Sequence, residues 1–265
     1  MYSKSQLARR YIRYWLHASN GKGHGVHSPF VFELIEKVLN NRKPYHAYAS
    51  IEALRRSLKR DNRMLTIEDF GAGSRVDGSR QRAVRSIARS ALKPAKFGQL
   101  LFRLVNHYQP ATLLELGTSL GITSAYLASG NPNGRLITME GAKAVAAVAR
   151  ESFARLGLTN ISLVEGNFDE TLPAVLQQTE RIDFAFIDGN HRYQPTIGYF
   201  NQLLGKAHAG SMIILDDIHW SREMEQAWEE VQLHPQVTMT IDLFFIGIVL
   251  FRNEFKIKQH FTIRY

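Results

Sequence analysis

LLELGTSLG, residues 113–121, decides the fold. Three leucines and Glu115 make a short apolar strand that ends in an acid and a glycine, and Gly117 and Gly121 let the chain bend sharply from that strand into a helix. A helix that starts at such a bend aims unpaired N–H groups and the positive end of its dipole at whatever lies beyond the strand. Thr118, Ser119 and Ser124 add hydroxyls there. The dinucleotide fingerprint G-x-G-x-x-G requires a second glycine because the backbone must touch a pyrophosphate. Ser119 occupies that position, which argues against a nicotinamide dinucleotide and a dehydrogenase.

The same strand-then-helix rhythm continues outward from this stretch. Short apolar runs at 112–117, 136–141, 161–166, 182–189 and 211–217 each end in an acid or glycine, with helical spacing at 121–129, 142–156, 170–178, 195–206 and 221–233. Parallel strands need crossovers of this length, so the expected fold class is α/β, with a doubly wound, mostly parallel sheet. VTMTIDLF (237–244) and IGIVLFR (246–252) are separated by one residue, which predicts a C-terminal antiparallel hairpin and brings the sheet to seven strands.

Upstream, the pattern changes. SQLARRYIRYWLH (5–17) and SPFVFELIEKVLN (28–40) have apolar residues at helical spacing, the second with Ser28 as N-cap and Pro29 at its first position. A helix from about Phe97 to Tyr108 then opens the regular region. The expected organisation is a basic helical N-terminal extension over 1–95, acting as a cap or in dimerisation, followed by a catalytic domain over 96–265. Residues 1 to 100 carry 20 Lys and Arg against 7 Asp and Glu, while the remainder carries 13 against 17. That asymmetry suits an anionic partner, or a solvated basic face.

Composition removes several chemistries. The chain of 265 residues has no cysteine, which excludes disulfides, thiolate metal sites and a cysteine nucleophile. Arg9, Arg10, Arg13 and Lys22 interrupt any signal-type apolar run. The most apolar stretch, Ile241 to Phe251, has eleven residues where a membrane-spanning helix needs about 20. A cytoplasmic protein without a membrane span is the expectation.

In open α/β sheets ligands sit beyond the carboxyl ends of the strands, so the strand tips carry the candidate site. Glu140 and Gly141 close the second strand, where an acid can accept both hydroxyls of a ribose. Gly166, Asn167 and Phe168 close the third, with Phe168 able to cover an adenine ring. The fourth and fifth tips carry Asp188 in FIDGNHRY and Asp216 with Asp217 in IILDDIHW. Three carboxylates in one cleft repel one another unless a cation sits among them, and hard oxygen donors suit Mg²⁺, Mn²⁺ or Ca²⁺. IEDFGAGSR (67–75) repeats the acid-glycine-glycine order, but no apolar helix follows it, so it reads as a loop. His24, His27 and His46 read as surface or capping residues.

Glu115-x-Gly117-x-x-x-Gly121 resembles the first motif of class I S-adenosylmethionine-dependent methyltransferases. The acids after the fourth and fifth strands resemble the metal-dependent O-methyltransferases of the catechol, caffeoyl-CoA and macrolide-sugar kinds. The resemblance covers roughly residues 95 to 252. It implies S-adenosylmethionine bound by Glu115, Gly117, Thr118, Ser119, Gly121, Ser124, Glu140, Gly141, Gly166, Asn167, Phe168 and Asp188, and Mg²⁺ held by Asp188, Asp216 and Asp217. His191, three positions after Asp188, stands where the catechol kind has a lysine base and the macrolide-sugar kind a histidine. It is therefore expected to take the acceptor's proton. His219 and Trp220 are expected to line the acceptor pocket, and His219 competes for the role of base. Asp-Asp after the fifth strand departs from the catechol kind's Asp-Asn and lies closer to the macrolide-sugar pattern.

The expected reaction is O-methylation of a small-molecule hydroxyl, with an anionic acceptor favoured by the basic extension. Two alternatives stand beside it. A nucleic-acid methyltransferase would use the basic segment with Tyr11, Tyr14 and Trp15 interleaved, although DGNH replaces the motif of base-amino enzymes. A non-catalytic adaptor would keep the cofactor fold and use the amphipathic helices for a homodimer or a membrane surface.

Overall fold

The computed structural model describes residues 1–23, 26–67 and 81–265. His24 and all of IEDFGAGSR after Ile67 lie outside the described residues. The chain divides into two compact units, one made of Met1–Asn41 with Leu176–Tyr265 and the other of Arg42–Val175. Residues 1–95 are thus shared between the two units.

The first unit opens with α1 (Lys4–His17), whose N-terminus carries a capping box: the Ser3 hydroxyl accepts the Gln6 N–H and the Gln6 side chain accepts the Ser3 N–H. α2 (Pro29–Leu34) starts as the sequence predicts, with Ser28 as its cap and Pro29 first. It passes into a π-helical turn at Ile35–Leu39 that the periodicity does not reveal.

The second unit begins with α3 (His46–Leu58), β1 (Met64–Thr66), β2 (Gln81–Ala83), α4 (Val84–Ser90) and α5 (Ala95–Tyr108). β1 and β2 form a short antiparallel pair. Then follow β3 (Thr112–Leu116), α6 (Ile122–Gly130), β4 (Arg135–Glu140), α7 (Lys143–Leu156), β5 (Ile161–Glu165) and α8 (Phe168–Gln177). β3 pairs with β4 and β4 with β5, all parallel. Ile51, Leu54 and Leu58 of α3 and Val84 and Ile87 of α4 are buried with Phe102, Ile122, Tyr126, Val145 and Val148. Burying side chains of this size stabilises by about 1.5–3 kcal/mol each, so α3 and α4 are integral to this unit's core.

The first unit resumes with β6 (Phe184–Ile187), α9 (Tyr193–Leu204), β7 (Met212–Asp216), α10 (Arg222–Leu233), β8 (Met239–Asp242), β9 (Ile246–Leu250) and β10 (Gln259–Thr262). β6 and β7 are parallel, and β9 runs antiparallel to both β7 and β8. The expected hairpin is β8 with β9, closed between Asp242 and Gly247. β10 is a strand beyond the seven expected. It pairs parallel to β8, and its mixed residues QHFT carry no strand signature until β8 supplies the partner. The architecture is α/β, with mostly parallel strands, a C-terminal antiparallel pair and crossover helices.

Candidate active site

In the second unit the site is built on the turn after β3. Gly117 (φ 105°) and Gly121 (φ 82°) are left-handed, as is Ser119 (φ 48°) between them. A left-handed serine is strained and persists where its surroundings hold it. Here its N–H donates to Glu140 Oε2 at 2.8 Å, while Ala142 N–H donates to Oε1 at 3.0 Å. A carboxylate has about four acceptor positions, so two such bonds orient Glu140 and leave capacity for a diol. Burial pushes the Glu140 carboxyl above its ordinary value, partly offset by backbone N–H groups of Ala142, Ser119 and Gly141. Parallel register sets Glu140 beside Glu165, and Gly166 (φ 131°) follows and donates its N–H to the Glu140 carbonyl at 3.0 Å. Asn167 accepts the Asp169 N–H at 3.1 Å and so caps α8, whose first residue is Phe168. Gly117, Ser119, Gly121, Glu140, Gly141, Gly166, Asn167 and Phe168 thus gather at the ends of three adjacent strands.

Three other expected cofactor contacts turn inward. Glu115 is fully buried and accepts hydroxyl hydrogens from Ser124 and, at 2.6 Å, from Thr138. Thr138 has one hydrogen to give, so Thr118, 2.6 Å from it, must be the donor in that pair. The chain Thr118 to Thr138 to Glu115, with Ser124 on the other side, braces the turn from within. It uses hydroxyls that the sequence reading offered to the ligand.

In the first unit, β6 and β7 run in register with Ile187 opposite Leu215, so Asp188 and Asp216 leave the two strands side by side. Asn190 (φ 65°) and His191 (φ 20°) fold the chain back before α9. One ligand atom each from Asp188, His191 and Asp216 lies within 4.8 Å of the others, and His191 Nε2 is 3.4 Å from Asp188 Oδ1. Asp216 is buried and the other two are half-buried. Two carboxylate oxygens and an imidazole converging at that distance fit a divalent cation. Asp217 is not in this group, contrary to expectation. Its backbone is left-handed (φ 52°), its N–H donates to the Phe245 carbonyl at 2.7 Å, and its carbonyl accepts the Trp220 N–H at 2.9 Å.

His219 has a different role from either one expected. It bonds Asp242 Oδ2 at 2.8 Å through Nε2 and Glu225 Oε1 at 3.2 Å through Nδ1, and it stacks on Phe244 at 5.0 Å. Burial lowers its pKa, but the Asp242 and Glu225 carboxylates outweigh that and push it up to about 9. A carboxylate at each ring nitrogen favours the imidazolium, in which both nitrogens donate, and engages both nitrogens within the fold. Glu225 also accepts from the Tyr2 hydroxyl at 2.6 Å and from Arg10 at 2.7 Å, and the Trp220 carbonyl accepts the Tyr2 N–H at 3.1 Å. His219 and Trp220 therefore fasten α1. Tyr2 and Arg10 carry no local signal for this, because their partner Glu225 is more than 200 residues away in sequence.

Residues 114–218, which span both sets of strand tips, match the family model described as a methyltransferase domain. Over these residues the chain is similar to a methyltransferase domain. The chain is also similar to a catechol O-methyltransferase from Niastella koreensis, at 35% identity over 126 residues, which covers 46% of this chain and 55% of the relative. The chain spans about half the length of the curated relatives it matches. Two solved structures share its fold. One is an O-methyltransferase from Bacillus cereus in complex with SAH (TM-score 0.57, 19% identity, 80% of this chain and 93% of that one). The other is an SAH-bound methyltransferase from Podospora anserina (TM-score 0.60, 14% identity, 96% and 98%). No helix among the described residues is long and apolar enough to cross a membrane.

Proposed function

We propose that this protein transfers the methyl group of S-adenosylmethionine to a hydroxyl oxygen of a small molecule, with a divalent cation at Asp188 and Asp216. The observation that carries the reading is the convergence of Asp188, His191 and Asp216 within the residues that match a methyltransferase domain. Relatives named catechol O-methyltransferase favour an oxygen acceptor over the nucleic-acid and adaptor alternatives, and make vicinal diols the first acceptors to try.

In this reading Glu140, oriented by Ser119 and Ala142, accepts the ribose hydroxyls, and Phe168 and Asn167 at the tip of β5 border the adenine. Gly117 and Gly121 allow close approach of the backbone, and the N–H groups at the start of α6 face the cofactor's amino-acid end. A bound divalent cation would lower the pKa of an acceptor hydroxyl and fix its orientation. Asp188 and Asp216 supply hard oxygens for it. His191 takes the hydroxyl proton at the ring nitrogen that Asp188 does not face, with Asp188, 3.4 Å from Nε2, orienting the ring. The acceptor oxygen then takes the methyl in a single displacement and S-adenosylhomocysteine leaves, so the protein's main contribution is alignment.

Calorimetry with S-adenosylmethionine and a methyl-transfer assay over a panel of catechols, with and without EDTA, test the reading. Cofactor binding with EDTA-sensitive transfer supports it. Transfer that survives EDTA removes the metal, and the absence of cofactor binding removes the whole proposal.

A further inference from the structure

We infer that α1 docks the protein on an anionic membrane surface. One side of this helix, with Leu7, Tyr11 and Tyr14, packs on Phe244 and Phe245. Apolar side chains continue around the helix, with Ile12 and Leu16 on the opposite side and Trp15 on the flank beside Tyr11; they are 59%, 69% and 43% exposed. Ile12 and Leu16 are one turn apart and continue the row of Ala8, while Arg9 and Arg13, also one turn apart, form the adjoining row. Arg264 adds to this rim, its guanidinium 5.5 Å from the Trp15 ring centroid and its Nε donating to the Trp15 carbonyl at 2.7 Å.

A large apolar side chain pointing at water gains nothing for the fold, and three together mark a surface that meets something less polar. Charge decides what that is. Residues 1–32 contain no Asp or Glu, and no carboxylate pairs with Arg9 or Arg13 among the described residues, whereas Arg10 is occupied by Glu225. A two-fold contact with a second copy would set the same row against itself. Arginines would then face arginines with no acid on the helix to neutralise them. A bilayer bearing anionic headgroups accepts both rows: the arginines pair with phosphates and carboxylates, while Trp15, Ile12 and Leu16 enter the headgroup boundary.

Sedimentation of the full chain with vesicles distinguishes these occupants. The expected result is binding to phosphatidylcholine vesicles containing phosphatidylserine, weakened by salt, and at least about tenfold weaker binding to phosphatidylcholine alone. Leu16→Asp and the double variant Arg9→Gln/Arg13→Gln each lower binding by at least about tenfold. Both lie on the exposed side, so circular dichroism and the thermal midpoint stay at the wild-type values and exclude misfolding. Absence of binding to anionic vesicles, or binding indifferent to both variants, overturns the inference. So does a dimer in sedimentation velocity that Leu16→Asp dissociates while vesicle binding is unchanged, because the face then belongs to a second copy.

Discussion

Ser119 donates its backbone N–H to the Glu140 carboxylate at 2.8 Å, joining the turn after β3 to the tip of β4. The bond holds a left-handed serine in place and orients the acid that would receive the ribose. Glu140→Ala removes the acceptor for both Ser119 and Ala142. Hydrogen bonds to a charged group contribute about 1.5–3 kcal/mol each. Cofactor affinity is expected to fall about 10- to 100-fold by calorimetry, with Glu140→Gln intermediate because it keeps one acceptor oxygen.

Asp188→Ala and Asp216→Ala remove hard oxygens from the cluster without touching the turn after β3. Each is expected to lower methyl transfer by about 100-fold or more while calorimetric affinity for S-adenosylmethionine stays near wild type. A parallel loss of cofactor affinity would place these acids in the cofactor site instead.

His191→Ala tests the proton acceptor. General-base removal costs about 100- to 10,000-fold in rate. Added imidazole is expected to restore part of the activity in this variant and to leave Asp188→Ala unchanged. Rescue by imidazole is a readout that a purely structural histidine would not give.

His219 makes stability depend on pH. Its folded pKa, about 9, lies above the ordinary 6.5, so folding favours the protonated form. The contribution is fully present below about pH 6.5 and is lost as pH rises through about 9; it amounts to at most about 3 kcal/mol. Thermal midpoints from pH 6 to 9.5 are expected to decline across that window, and the His219→Gln variant to start lower and decline less. A wild-type curve flat across the window would show that the Asp242 and Glu225 pairing does not hold the imidazolium.

Gly121 is constrained twice. Its φ of 82° is costly for any residue with a Cβ, and that Cβ would lie 2.6 Å from Phe153 Cε1. Gly121→Ala is therefore expected to destabilise by about 1–3 kcal/mol in denaturant titration. An unchanged midpoint would mean that α6 and α7 separate freely at this contact.

Much of the candidate site was legible because ligand-binding residues of an α/β fold lie at strand tips. Once LLELGTSLG is read as strand, turn and helix, the acids and glycines ending the later strands are placed at the carboxyl ends of their own strands by topology alone. Gly117, Gly121, Glu140, Asp188, His191 and Asp216 follow from that rule. The direction each side chain takes was not legible. Glu115 lies two residues from Gly117 yet points inward to Ser124 and Thr138, and Asp217 adjoins Asp216 yet stays out of its cluster.

The sequence by itself determined the order of strands and helices, the glycine-bent turn and the acids at the strand ends, since hydrophobic period and turn chemistry act over a few residues. Only the tertiary structure decided that His219 lies between the Asp242 and Glu225 carboxylates, and that β10 is a strand beside β8. Both depend on partners supplied by other elements, and a histidine's charge or a polar strand's pairing is set by what packs against it.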